Sequence, residues 1–144
     1  MPTPPLADLD AKQVAVDLLD AALTGVLVTG SLPEGAALTA ALPAVRVLRL
    51  GGVRDIGSWG GPSARDNARF SVDCYADSPG AAMRLALRVL DAWEALPNQH
   101  TADGLVTGVS QETGPQDRPE EPNSTLARVG MTLGMSVRPP LPTS

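Results

Sequence analysis

Thr125-Leu126-Ala127-Arg128-Val129-Gly130-Met131-Thr132-Leu133-Gly134-Met135-Ser136-Val137-Arg138 is the stretch that decides the fold. Ala127, Val129, Met131, Leu133, Met135 and Val137 take every second position, and Arg128, Gly130, Thr132, Gly134, Ser136 and Arg138 fall between them. Successive side chains of a strand point to opposite faces, so this is one strand with a dry face and a wet face. A helix with the same spacing would scatter the apolar set around its circumference. At ~3.3 Å per residue the run reaches roughly 40 Å, well beyond the usual strand of about six residues. A strand that long needs partners along its length and a cover for its apolar side.

The best cover is Ser78 to Leu96. Ser78 suits an N-cap and Pro79 the first helical position, where its missing N–H would have been unpaired anyway. Ala82, Ala86, Val89, Trp93 and Leu96 recur at steps of four and three, with Met83, Leu87 and Leu90 widening the stripe; Arg84, Arg88 and Asp91 face water. Pro97 ends the helix. A second helix is expected from about residue 10 to Leu23, capped by Asp8 or Asp10. With Asp10 as cap, Gln13 sits at the third position, as in a capping box. Ala11, Val14, Ala15, Leu18 and Ala22 form its stripe, flanked by Leu19 and Leu23, and Gly25 is a plausible stop.

The partner strands lie between and after these helices. Val26 to Thr29 is a short one. Ala44 to Leu50 is a second, with Val45 and Val47 on one face and Arg46, Leu48 and Leu50 on the other. Asn67 to Ala76 is a third, in which Phe70, Val72, Cys74 and Ala76 alternate with Arg69, Ser71, Asp73 and Tyr75, and Leu105 to Glu112 is a fourth. Pro33–Leu42 reads as a loop with room for a helical turn. Gly51–Asp66 reads as a loop, as does the polar connection Thr113–Pro122, which contains Gly114-Pro115. Short links favour antiparallel neighbours. The expected architecture is an α+β, two-layer domain: a mostly antiparallel sheet of four to five strands with two main helices on one face. It should span residues 8–138, between Pro-rich tails at 1–7 and 139–144.

Composition narrows the function. The chain has 144 residues, enough for one core, and only Trp59, Phe70, Tyr75 and Trp93 are aromatic, so that core must be mostly aliphatic. The net charge of −5 argues against non-specific nucleic-acid binding, which relies on Lys and Arg to displace counterions. Cys74 is the only cysteine, which excludes an internal disulfide, and its place on the apolar side of a strand suggests a buried, inert thiol. Met1-Pro2-Thr3-Pro4-Pro5 lacks the basic start and apolar run of a signal peptide, and no apolar run approaches the ~20 residues of a membrane span. Synthesis in a cytoplasm, with no membrane partner, is the expectation.

No catalytic set is apparent. His100, the only histidine, falls in a loop after the main helix, and one Cys with one His cannot make a zinc site of the usual ligands. The acidic residues Asp8, Asp10, Asp17, Asp20, Asp117, Glu120 and Glu121 lack the spacing of a cation loop. Gly57, Gly60 and Gly61 fit neither a phosphate loop nor a dinucleotide fingerprint, since no Lys-Ser or Lys-Thr follows and the next element is a strand. The sharper reading of that segment is a contact loop, because Trp59 between glycines is the kind of side chain that anchors interfaces; folding back onto its own core is the alternative. Arg46, Leu48, Leu50, Arg54 and Trp59 are the candidate interface residues. No catalytic, cofactor or metal residues are assigned.

Three stretches together resemble one family. They are Ala44 to Gly52, Asn67 to Leu96 with its Val72-Asp73 strand and Ala-rich helix, and Gly104 to Arg138, with its Gly114-Pro115 loop and long last strand. Their layout is similar to the tail terminator, or tail-completion, proteins of long-tailed bacteriophages, particularly those of actinobacterial hosts. The resemblance covers most of residues 8–138 and consists of element order and glycine placement, with no catalytic signature. It implies a non-enzymatic virion protein at the tail end or neck, without cofactors. Such a protein forms a homo-oligomeric ring, usually a hexamer, that stops growth of the major tail tube protein and joins the tube to the head-tail connector. Phage DNA passes through the lumen without sequence-specific binding. A head-completion or neck adaptor protein is the neighbouring alternative, and a host module for a small ligand a more distant one.

Overall fold

The computed structural model describes residues 9–55, 65–118 and 126–140. Its centre is the alternating strand quoted above, here β6 (Ala127–Arg138). β6 lies between β3 (Arg65–Ala76) and β5 (Gly104–Asp117), antiparallel to both. β2 (Ala44–Asp55) pairs antiparallel with the other side of β3. β1 (Leu27–Thr29) adds a short parallel edge to β2, and β4 (His100–Thr101) a two-residue antiparallel edge to β5. The sheet order is β1-β2-β3-β6-β5-β4. The fold is α+β as expected, with six strands rather than four to five. The sixth is β4, formed at His100 in a stretch read as loop.

Alternation is obeyed where a helix covers it. Directly paired residues share a face, so one face carries Val45, Cys74 and Val129 in a row, then Val47, Val72 and Met131, then Phe70 and Leu133. All eight are completely buried. Helices α1 (Ala11–Ala22) and α3 (Pro79–Glu94) pack on this face, and their buried sides join it in one apolar cluster. Trp93 is the largest wedge: its ring meets Phe70 edge-on at 5.9 Å, and its indole N–H donates to the Gly134 carbonyl at 3.0 Å. A buried Trp needs such an acceptor for its one polar atom.

The caps follow the sequence with one difference. Ser78 accepts from the Ala81 N–H and Asp10 from the Gln13 N–H. The reciprocal half of the Asp10 capping box does not form. The Gln13 amide turns forward to Asp17, and the Asp10 N–H donates to the Asp103 carbonyl instead. Two stripe assignments also shift. Ala22 and Leu87 are exposed, while Leu85 is buried. Residues 33–42, read as loop with a possible turn, contain the short helix α2 (Ala36–Ala41), which buries Leu38.

Both long loops expected from glycine and proline are partly strand. β2 runs through Gly51 and Gly52 to Asp55, and β3 starts at Arg65. The two glycines adopt φ of +108° and +119°, at a register irregularity between Arg49 and Gly51. A Cβ on Gly52 would run into the Asn67 carbonyl and the Ala68 backbone, so the close strand approach there requires glycine. β5 likewise continues past Thr113 through Gly114-Pro115, with register shifts on either side of Thr113. Proline is tolerated because no described strand pairs with the outer side of β5 there.

Candidate interface on the outer sheet face

The face of the sheet turned away from α1 and α3 is built from the alternate residues of the same strands. One row is Arg46, Asp73 and Gly130; the next is Leu48, Ser71 and Thr132. Asp73 is the hub. It is 0% exposed, although it lies on the face without α1 and α3, because three arginines close over it. Arg46 Nη2 donates to Oδ2 at 2.8 Å, Arg128 Nε to Oδ1 at 3.2 Å, and Arg118 Nη1 to Oδ1 at 3.3 Å. Arg118 also donates to Ser71 Oγ at 3.0 Å, and Arg128 stacks over the Tyr75 ring. Both carboxylate oxygens are therefore occupied by donors, so Asp73 clamps three strand ends together. A single buried carboxylate without such partners would be costly by several kcal/mol.

Gly130 makes the clamp possible. A Cβ there would lie 2.5–2.7 Å from the Arg118 side chain, so Arg118 lies flat across the glycine. Glycine inside a strand often marks a close approach by another group. That signal was present in the sequence, together with the sheet's central Asp, but the three arginines lie 27, 45 and 55 residues from Asp73. Further along the face, Arg69 grips Glu112 with contacts of 2.7–3.0 Å; this hydrogen bond and the neighbouring charge raise the arginine's pKa. On the other, helix-facing side Arg49, opposite Phe70, binds buried Asp66 in a two-pronged pair at 2.7 Å, which raises its pKa in the same way.

The predicted interface residues divide. Arg46 belongs to the Asp73 clamp. Leu48 and Leu50 are 41% and 45% exposed, and Val53, three residues further on, is 70% exposed. Arg54 is exposed at the strand end. Trp59, read as the anchor of a contact loop, lies outside the described residues. The structure thus assembles Leu48, Leu50 and Val53 into a run of exposed apolar side chains on β2. Val53 was missed because its segment read as loop. A shallow concavity of about 460 Å³ adjoins this run, lined by Gly52, Asn67, Arg69, Gly108, Ser110 and Ser136 among others.

Groups suited to catalysis do not converge among the described residues. Cys74 is buried, and its thiol is pushed up to about 12, first by burial and then by the charge of Asp73, so it is a poor nucleophile. His100 is exposed on β4. No group of three metal-ligating side chains occurs among the described residues. No described helix is long and apolar enough to cross a membrane.

No family model and no curated protein matches the chain. Among solved structures, it is similar to a chain of a particle described as "Virion of native gene transfer agent (GTA) particle". The two share 20% identity over 92% of this chain and 90% of the other, with a TM-score of 0.49. A likeness of that depth carries no function across.

Proposed function

We propose that this chain is a structural subunit of a phage-type virion: a tail terminator that closes into a ring on the tail tube, ends tube growth and presents a surface to the head connector. The observation that carries the reading is the exposed apolar run Leu48, Leu50 and Val53 on a strand with which, beyond β1, no described strand pairs on the outer side. Exposed apolar side chains beside an open sheet edge are a liability in a monomer and an asset in an assembly subunit. The sequence layout, similar to that of tail terminators, supplies the kind of assembly. Head-to-tail contacts that close give rings, and a protein that ends a polymer must close. Six is the ring size that the resemblance implies. In this reading the acidic chain suits a conduit for DNA, through which the polymer slides without sequence-specific contact.

The test uses growing tail tubes. Purified protein is added during polymerisation, and tube length and end structure are measured by electron microscopy. The expected result is shorter tubes carrying a ring at one end. Tubes of unchanged length with bare ends contradict the terminator. Rings that dock on the connector but ignore tubes support the neck adaptor instead.

A further inference from the structure

We infer that copies of this chain join head to tail through one pair of strand edges: Gly108–Thr113 on β5 of one copy against Leu48–Val53 on β2 of the next. The inference rests on the assembly reading above and names the surfaces that make it. It starts from which edges remain. β1 covers β2 only at Ala44, Val45 and Arg46, and β4 covers β5 only at Gly104 and Leu105. Val106 is held by the backbone of Asn98 and Gln99. Beyond those points no described strand pairs with the outer side of either.

The two free stretches stand at the same height in the sheet. Leu48 pairs with Ser71, Ser71 with Thr132, and Thr132 with Thr113, so Leu48 and Thr113 share one level and one face. At the other end Val53 pairs with Asn67, Asn67 with Ser136, and Ser136 with Gly108. Six residues of β2 therefore face outward level with six residues of β5 on the opposite edge. The covering strands do not obstruct them, because β1 and β4 sit at opposite ends of the strand direction. Three successive antiparallel pairings also make β2 and β5 antiparallel to each other. A copy rotated about an axis parallel to the strands thus presents β2 antiparallel to the β5 of its neighbour, with no slide along the strand. Such a contact is heterologous and can close.

Within one copy Arg46 and Arg49 are already held by Asp73 and Asp66, and Glu112 by Arg69, so the matched level and direction of the two edges, and not net charge, select this pairing. The register shift between Thr113 and Gln116, with Pro115 inside it, limits the contact to a short stretch, which restrains indiscriminate edge pairing.

Disulfide trapping tests the register. Opposed residues of an antiparallel pair lie about 4.5–5.5 Å apart at Cα, within reach of a disulfide. Two double variants are oxidised in solution and on tail tubes: Leu48→Cys with Thr113→Cys, and Val53→Cys with Gly108→Cys. The Gly108 position has open space for a side chain, and buried Cys74 stays out of the reaction. Melting temperatures close to the parent's confirm that the variants fold. The expected result is an intermolecular ladder from both double variants and none from the single variants. Rings or capped tubes without either cross-link overturn the edge assignment and leave the terminator reading standing on another contact. A ladder from a third double variant, Leu48→Cys with Gly108→Cys, in place of the first two overturns the antiparallel direction. Ladders from both pairs with bare tube ends sustain the edge contact and remove the terminator reading. A protein that gives neither ladder nor capped tubes overturns both.

Discussion

The same strands present two different surfaces. Toward α1 and α3 they show Val, Phe, Met and Leu, completely buried and closed by Trp93. Toward the other side they show arginines around Asp73, hydroxyls, glycines and the exposed leucines of β2. The first surface gains its free energy from area removed from water, at about 25 cal/mol per Å². The second is held by directional charge pairs, and leaves apolar groups wet. The difference separates stability from availability: one face makes the fold, and the other keeps apolar side chains in water.

The largest expected effect breaks the covered face. Trp93→Ala removes a fully buried indole, its edge contact with Phe70 and its hydrogen bond to Gly134, and should cost about 3–5 kcal/mol in denaturant melts. A loss as small as that of a surface substitution would mean that α3 does not rest on this face. Next is Gly52→Ala, at about 2 kcal/mol or more, because its φ is positive and its Cβ meets backbone that cannot swing aside. Asp73→Asn follows at about 1–3 kcal/mol, since it removes the charge that three guanidiniums share. Its penalty should exceed that of Glu112→Gln, because Glu112 and Arg69 are well exposed and water screens their pair. Equal losses in parallel melts would show that Asp73 is no hub.

What could be read in advance follows the same division. β6, α3 and the helix-facing halves of β2 and β3 were legible because burial imposes a period on the residues that meet it. The ends of β2 and β5 were not. Gly51-Gly52 and Gly114-Pro115 are turn signals in isolation, and only the neighbouring strand turns them into bulges and an open edge. Leu85 and Leu87 illustrate a finer limit. Both are leucines two positions apart on one helix, and the helix must rotate against a particular sheet before one becomes core and the other surface. Arg46 and Leu48 were placed on the outer side by alternation alone, whereas Leu50 falls at the register shift, where alternation no longer decides a face. Asp73 looked like one more wet-face residue, because its burial depends on side chains arriving from β2, β5 and β6 ends far along the chain.

The smallest effects sharpen the comparison most. Gly130→Ala should cost under about 1 kcal/mol. The clash is with the far end of a flexible arginine, which can swing away, unlike the backbone under Gly52. Leu48→Ser with Leu50→Ser should change monomer stability by less still, within about 0.5 kcal/mol each, because both side chains already face water. If the outer edge is a contact surface, the same pair of substitutions must nevertheless weaken assembly, since it removes apolar area that only a neighbour would bury. Two measurements on one variant therefore decide the matter: a denaturant melt of the monomer, and the fraction of tail tubes capped at fixed protein concentration. An unchanged melt with fewer capped tubes assigns these leucines to the assembly. An unchanged melt with unchanged capping makes them incidental exposed side chains. A large drop in the melt would mean that β2 relies on these leucines for its own fold, and that the two faces of the sheet are less separate in energy than their surroundings imply.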